Sequence, residues 1–114
     1  MKYILTILTL ALPFAARARF VESAAARPAV STIAAAKKMS DDAKVVVEGK
    51  IQKQIKKDKY LFGDGADTIV VEIDRDVWRG VDVSEKDRLR IFGEVDASLF
   101  RAAEIEADAV EIIK

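Results

Sequence analysis

Five lysines, Lys50, Lys53, Lys56, Lys57 and Lys59, stand close together in the chain. Each ammonium group is a compact point charge, so the run is suited to holding an anion without the fork geometry of a guanidinium. Trp78 and Arg79 add a ring and a planar cation side by side. These seven are the candidate ligand-binding residues. A plainer account competes with that reading: lysines on an exposed strand blunt edge pairing, and a lone tryptophan is usually buried. Asp64, Asp67, Glu72, Asp74 and Asp76 cluster in sequence, and carboxylates suit hard cations. The calcium-loop template fails, however, because Ala66 and Thr68 stand where oxygen ligands are needed. No metal is expected, Asp64 and Asp67 being the two candidates left to a cation. Turn formation and capping explain Asp64 and Asp74 without one.

Catalysis finds little to work with. The chain has no histidine and no cysteine, which removes the usual general base, the commonest metal ligand, thiolate chemistry and disulfides. Ser31, Ser40, Ser84 and Ser98 therefore lack a histidine partner, and the glycines form no phosphate-cradling run. Acids are plentiful, but nothing in their spacing would split the pKa values of a pair as glycoside hydrolysis requires. The expectation is a protein that is not an enzyme and uses no cofactor.

The 114 residues leave room for one small domain. Its formal charge is zero; leaving out Lys2 and Arg17 gives 17 basic against 19 acidic residues. Bases dominate up to Phe62 and acids from Gly63, so the two signs either make a dipolar surface or pair across neighbouring strands. Pairing is the expectation.

Residues 1–18 have the form of an export signal. Lys2 supplies the positive start, Tyr3 to Leu12 is apolar apart from two threonines, and Pro13 precedes the small-x-small site Ala16-Arg17-Ala18. The apolar run is too short for a stable bilayer span. Cleavage there, or after Ala24-Ala25-Ala26, gives a periplasmic protein with no membrane span. Residues 19–30, rich in alanine and without periodicity, read as a flexible leader.

The domain, residues 31–114, must position the candidate residues. Ser31 is placed to cap a short helix running from Ile33 to Met39, with Ile33, Ala36 and Met39 on one side, covering an open end of the fold. From Lys44 the period becomes two: Val45, Val47, Gly49 and Ile51 take one face against Val46, Glu48, Lys50 and Gln52. Gly49, on the buried phase, marks a bend or a close approach. A hairpin at Lys56-Lys57-Asp58 leads to a second strand, Lys59 to Phe62, and Gly63-Asp64-Gly65 to a third, Thr68 to Ile73. Asp74 to Gly80 interrupts the alternation as a capped helical turn. After a charged turn at Ser84 to Asp87, Leu89, Ile91, Gly93 and Val95 give the inner phase of a fourth strand. Ile105, Ala107 and Ala109 give that of a fifth, running from Glu104 to Ile112. Five such strands fit a small closed barrel, since closure removes exposed edges.

The order and spacing of several short segments resemble the bacterial OB-fold (BOF) family of exported proteins: Ala36-Lys37-Lys38-Met39, Val47-Glu48-Gly49-Lys50-Ile51, Tyr60-Leu61-Phe62, Val71-Glu72-Ile73-Asp74, Trp78-Arg79-Gly80 and Ile91-Phe92-Gly93-Glu94-Val95-Asp96. The resemblance spans Thr32 to Ile112. It implies an all-β, five-stranded OB-fold Greek-key barrel with an N-terminal helix and a helical turn between the third and fourth strands. It also implies a periplasmic address, a role in envelope stress tolerance and no known catalytic activity, with an envelope protein, polymer or small ligand as partner. The leader and the apolar stretch from Ser98 to Ala103, with Phe100, depart from the family pattern, so no partner contact carries over there.

An OB barrel also raises two alternatives: a module for single-stranded nucleic acid or another extended polyanion, and a divalent-cation protein. Export argues against nucleic acid as the natural partner. Tyr60 and Phe62 share a face and are expected in the core more than on a stacking platform. Trp78 is expected to plug the barrel end, with Arg79 paired to an acid. A monomer is expected.

Overall fold

The computed structural model describes residues 28–114, so the expected export signal and most of the leader lie outside the described residues. The elements are β1 (Val30–Ser31), α1 (Ile33–Ala36), β2 (Lys44–Lys56), β3 (Lys59–Gly63), β4 (Thr68–Glu72), α2 (Arg75–Trp78), β5 (Arg88–Ser98) and β6 (Arg101–Ile113). The sheet order is β1-β2-β3-β4-β6-β5, and a further pairing of β2 with β5 joins the last strand back to the second. This is the expected OB ring, β2 to β6, with one strand added. Pairing is antiparallel except between β4 and β6 and between β1 and β2.

Alternation produces the core directly. Val45 and Val47 of β2, Phe62 of β3, Ile69 and Val71 of β4, Leu89, Ile91 and Val95 of β5 and Ile105 of β6 are all buried on the inner phase. Each such aliphatic or aromatic side chain contributes about 1.5–3 kcal/mol by leaving water. Gly49 and Gly93 stand on the same phase for a steric reason. A Cβ on Gly49 would lie 2.8 Å from the carbonyl carbon of Gly63, and one on Gly93 would lie 3.0 Å from that of Glu106. The backbones approach closely where the sheet coils, and only glycine permits it.

Four sequence readings are corrected. The leader was expected to run to residue 30, but Val30 and Ser31 pair in parallel with Val46 and Val47; a two-residue strand is too short to show a period. Thr32, not Ser31, caps α1: its Oγ1 accepts from the Ala35 N–H at 3.1 Å. The α-helix is one turn, ending at Ala36, yet Ile33 and Ala36 are fully buried and Met39 packs beside them, as the covering role requires. In β6 the register slips between the Phe92–Ala109 and Gly93–Ala107 pairs, a bulge at Asp108. Ala109 is thereby turned outward, and Val110 and Ile112 take the inward phase opposite Ile91 and Leu89.

On the outer face the two charge signs pair across strands. Arg90 of β5 meets Glu48 of β2 at 2.7 Å and Glu111 of β6 at 3.2 Å. Lys59 meets Glu104 at 2.8 Å, and Lys44 meets Glu94. One belt is less balanced. The register sets Lys59, Glu72, Glu106, Glu94 and Lys44 opposite one another in turn across β3, β4, β6, β5 and β2, which puts three carboxylates side by side. Partial desolvation, followed by the charges of Asp96, Glu72, Glu94 and Asp42, holds the Glu106 carboxyl above its ordinary range. No helix among the described residues is long and apolar enough to cross a membrane.

Candidate ligand groove

The second half of β2 does not run straight. Its register against β3 shifts between Ile51 and Lys53 and again between Gln54 and Lys56, and such bulges bend a strand and redirect its side chains. The opposite wall comes from the segment after α2. Asp74 stands at the N-cap in extended geometry but makes no side-chain capping bond, contrary to the sequence reading. Arg79 ends the turn in the left-handed region, at φ 55°, before the expected Gly80, which follows with φ 74°. The chain then runs past β2 as Val81 to Ser84.

Between these walls lies a groove of ≈ 530 Å³, floored by Ile51, Tyr60 and Trp78 and edged by Lys53, Gln54 and Arg75. Tyr60 and Trp78 meet edge to face, with centroids 5.6 Å apart and planes at 85°. A second recess of ≈ 520 Å³, bordered by Lys50, Gly63 and Arg88, shares Ile51, Gln52 and Glu85 with it, so the two form one trough. The arrangement offers ring faces and edges, side-chain amides, the cations of Lys53 and Arg75 and, on the loop wall, the carboxylates of Asp82 and Glu85. It contains no imidazole or thiol.

The candidate residues separate accordingly. Lys50, Lys53 and Trp78 line the trough. Lys56 and Lys57 are exposed beyond its end, and none of these four lysines has an ion pair among the described residues. Lys59 is not available: Glu104 holds it, chiefly by the hydrogen bond that raises its pKa. Arg79 is exposed, does not line the groove and has no ion pair among the described residues, unlike the pairing expected. Phe62 is core, as expected, whereas Tyr60 is only half-buried and stays at the groove floor beside Trp78, itself a half-buried plug.

Sequence reasoning did not pick out Gln52, Gln54, Arg75 or the Val81 to Glu85 wall. The break in alternation after Ile73 was the available signal, but it does not reveal which strand the loop faces.

Asp64 and Asp67 have other work. One Asp64 oxygen accepts from the Ile33 N–H at 2.9 Å, and the other accepts from Ala66 and Asp67 at 3.0 and 2.9 Å. These bonds, Ile33 first, hold its pKa below the ordinary carboxylate value. Asp67 accepts from Lys37 Nζ at 2.8 Å, the main cause of its own lowered pKa, and from the Thr68 N–H. Together they fasten α1 to the β3–β4 turn. Among the described residues no three acidic side chains gather as a metal site.

Against this geometry stands the match to known proteins. The sequence profile of the Bacterial OB fold (BOF) protein family matches residues 14–112. The chain belongs to the BOF family. A BOF relative in Pseudomonas aeruginosa, the calcium-regulated OB-fold protein CarO, is 39% identical over 89 residues, 78% of this chain and 76% of CarO. An uncharacterized protein of Haemophilus influenzae is 34% identical over 86 residues, 75% of this chain and 71% of its own. The solved structure of the hypothetical protein ygiW from Escherichia coli superposes with a TM-score of 0.72 at 37% identity, covering 75% of this chain and 91% of that one. The BOF fold therefore holds for the ring and its crossover.

Proposed function

We propose that this BOF protein is an exported, non-catalytic binding protein of the periplasm that supports tolerance of envelope stress and takes its ligand in the trough along β2. The observation that carries the reading is the Tyr60–Trp78 floor beside Lys50 and Lys53, two cations with no ion pair among the described residues. Such a site suits an anionic ligand with a flat or apolar portion: the rings take the apolar portion and the ammonium groups attract the charge. The lack of histidine and cysteine favours binding over catalysis. The signal-like residues 1–18 favour export, and CarO, named for its regulation by calcium, favours a condition-dependent role.

Trp78 is the single tryptophan, so its emission reports on the groove. Titrating acidic envelope polysaccharide, an acidic peptide and a single-stranded oligonucleotide in turn should change that emission with at least one of the first two. Lys50→Gln with Lys53→Gln should weaken that binding tenfold or more and flatten its salt dependence. A response confined to the oligonucleotide favours the nucleic-acid module instead. No response to any probe, or binding indifferent to both lysines, overturns the trough as the site.

A further inference from the structure

The β5–β6 hairpin carries an apolar tip that the groove reading does not use. Leu99 is 95% exposed and Phe100 93%, the two most exposed large apolar side chains among the described residues. Adjacent residues of that kind, held at the end of a paired hairpin, form a projecting knob.

We infer that this knob is one half of a head-to-tail contact between copies of the chain: Leu99 and Phe100 of one copy enter the β2 groove of the next. The groove is apolar at its floor and large enough for both side chains. Val81, half-exposed at its edge, supplies further apolar surface. The charges match as well. Behind the knob Asp96, Glu104 and Glu94 are paired with Arg101, Lys59 and Lys44, and the Glu72–Glu106 carboxylates stand side by side next to them. Glu72 and Glu106 have no ion pair among the described residues. Lys53 at the groove, Lys50 at the adjoining recess and Lys56 beyond its end are equally without ion pairs among the described residues. At about 3.3 Å per strand residue the lysine stripe extends on the order of 20 Å, while the carboxylates behind the knob cover roughly 7 Å along their strands and about 10 Å across them.

The contact is intermolecular by construction. Lys44 pairs with Glu94 on the knob's side of the sheet, and Lys53 lies nine residues further along β2, a contour of about 30 Å leading away from the knob. A knob and a hole at opposite ends make a heterologous contact, which leaves one knob and one hole free at each stage. The inference concerns the same groove as the proposed function but does not depend on that function, since it stands on the knob and on the placement of charge.

Sedimentation and light scattering across protein concentration test it. The purified protein should grow in mass beyond the monomer, less so at high salt. Leu99→Ser with Phe100→Ser should leave a monomer, and so should Val81→Asp, both on exposed positions that leave the core untouched. An equimolar mixture of those two variants should form a one-to-one dimer and stop, because one contributes the hole and the other the knob; Trp78 emission should shift on mixing. Three results overturn the inference: a wild-type monomer at millimolar concentration, association that survives loss of the knob, or no dimer on mixing. Binding of the knob to lipid vesicles without self-association also overturns it. A wild-type monomer whose groove still binds an anionic probe would overturn this inference alone and leave the proposed function standing.

Discussion

Replacing Gly49 with alanine tests the argument that the ring closes only because two backbones touch. The new methyl would stand 2.8 Å from the Gly63 carbonyl carbon and 3.2 Å from the Asp64 Cα, and closer still to the Gly63 oxygen. All three are backbone atoms, so no side-chain rotation relieves the overlap. Ordinary contact begins near 3.4 Å, so β3 must retreat from β2 by more than half an ångström. That movement strains the Lys50–Gly63 and Ile51–Phe62 pairings and draws the fully buried Phe62 away from the core. Overpacking costs about 1–3 kcal/mol, and each weakened ladder bond adds about 0.5–1.5 kcal/mol, for a total of about 3 kcal/mol or more. In a domain of this size that lowers Tm by roughly 12–24 °C. Thermal and urea unfolding followed by Trp78 fluorescence and far-UV circular dichroism measures it. Gly65→Ala is the control: its φ is 95° but nothing lies within 4 Å, so the cost is backbone strain alone, on the order of 1 kcal/mol. A Gly49→Ala protein melting within a few degrees of wild type, or one more stable than Gly65→Ala, would refute the close-approach account.

Asp64→Asn replaces a carboxylate that accepts three backbone N–H groups, and urea unfolding at neutral pH should register a loss of about 1–3 kcal/mol. Because the folded pKa of Asp64 is lowered, its contribution is present above the ordinary carboxylate range and disappears as pH falls through the lowered value; the variant should therefore lose less stability on acidification than wild type does. Glu106→Gln should act in the opposite sense. Its folded pKa is raised, so ionisation is destabilising at neutral pH, and relief of the two opposed glutamates should gain on the order of 0.5 kcal/mol. That gain should vanish at a pH below the ordinary glutamate range, and a gain that persists there would contradict the cause assigned. Ile33→Ala empties a fully buried position under α1 and should cost about 2–5 kcal/mol by denaturant unfolding.

Those elements built on period two were open to reading in advance. The inner phases of β2, β4 and β5 follow from Val45, Val47, Ile69, Val71, Leu89 and Ile91, and Gly49 announces itself as an apolar-phase position without a side chain. Three features were hidden for physical reasons. β1 is two residues long and exists only because Val46 and Val47 offer an edge. The bulge at Asp108 changes the phase of β6 halfway along, and alternating alanines and acids look alike in either phase. The groove wall from Val81 to Ser84 is irregular backbone, whose placement follows from left-handed conformations at Arg79 and Gly80. The lysine run was visible as a charge feature. Which lysine is neutralised depended on the strand pairings that carry Glu104 to Lys59, 45 residues away.

The pairing of β2 with β5 also bears on how the polypeptide emerges during synthesis. Lys44 and Glu94 are 50 residues apart, so the meander of β2, β3 and β4 is complete well before its closing neighbours exist. Until then the nascent meander presents open strand edges and an uncovered aliphatic face, the features that invite pairing with other chains. Contacts this distant in sequence also form slowly. The young chain thus has a vulnerable interval that ends only when its last two strands arrive.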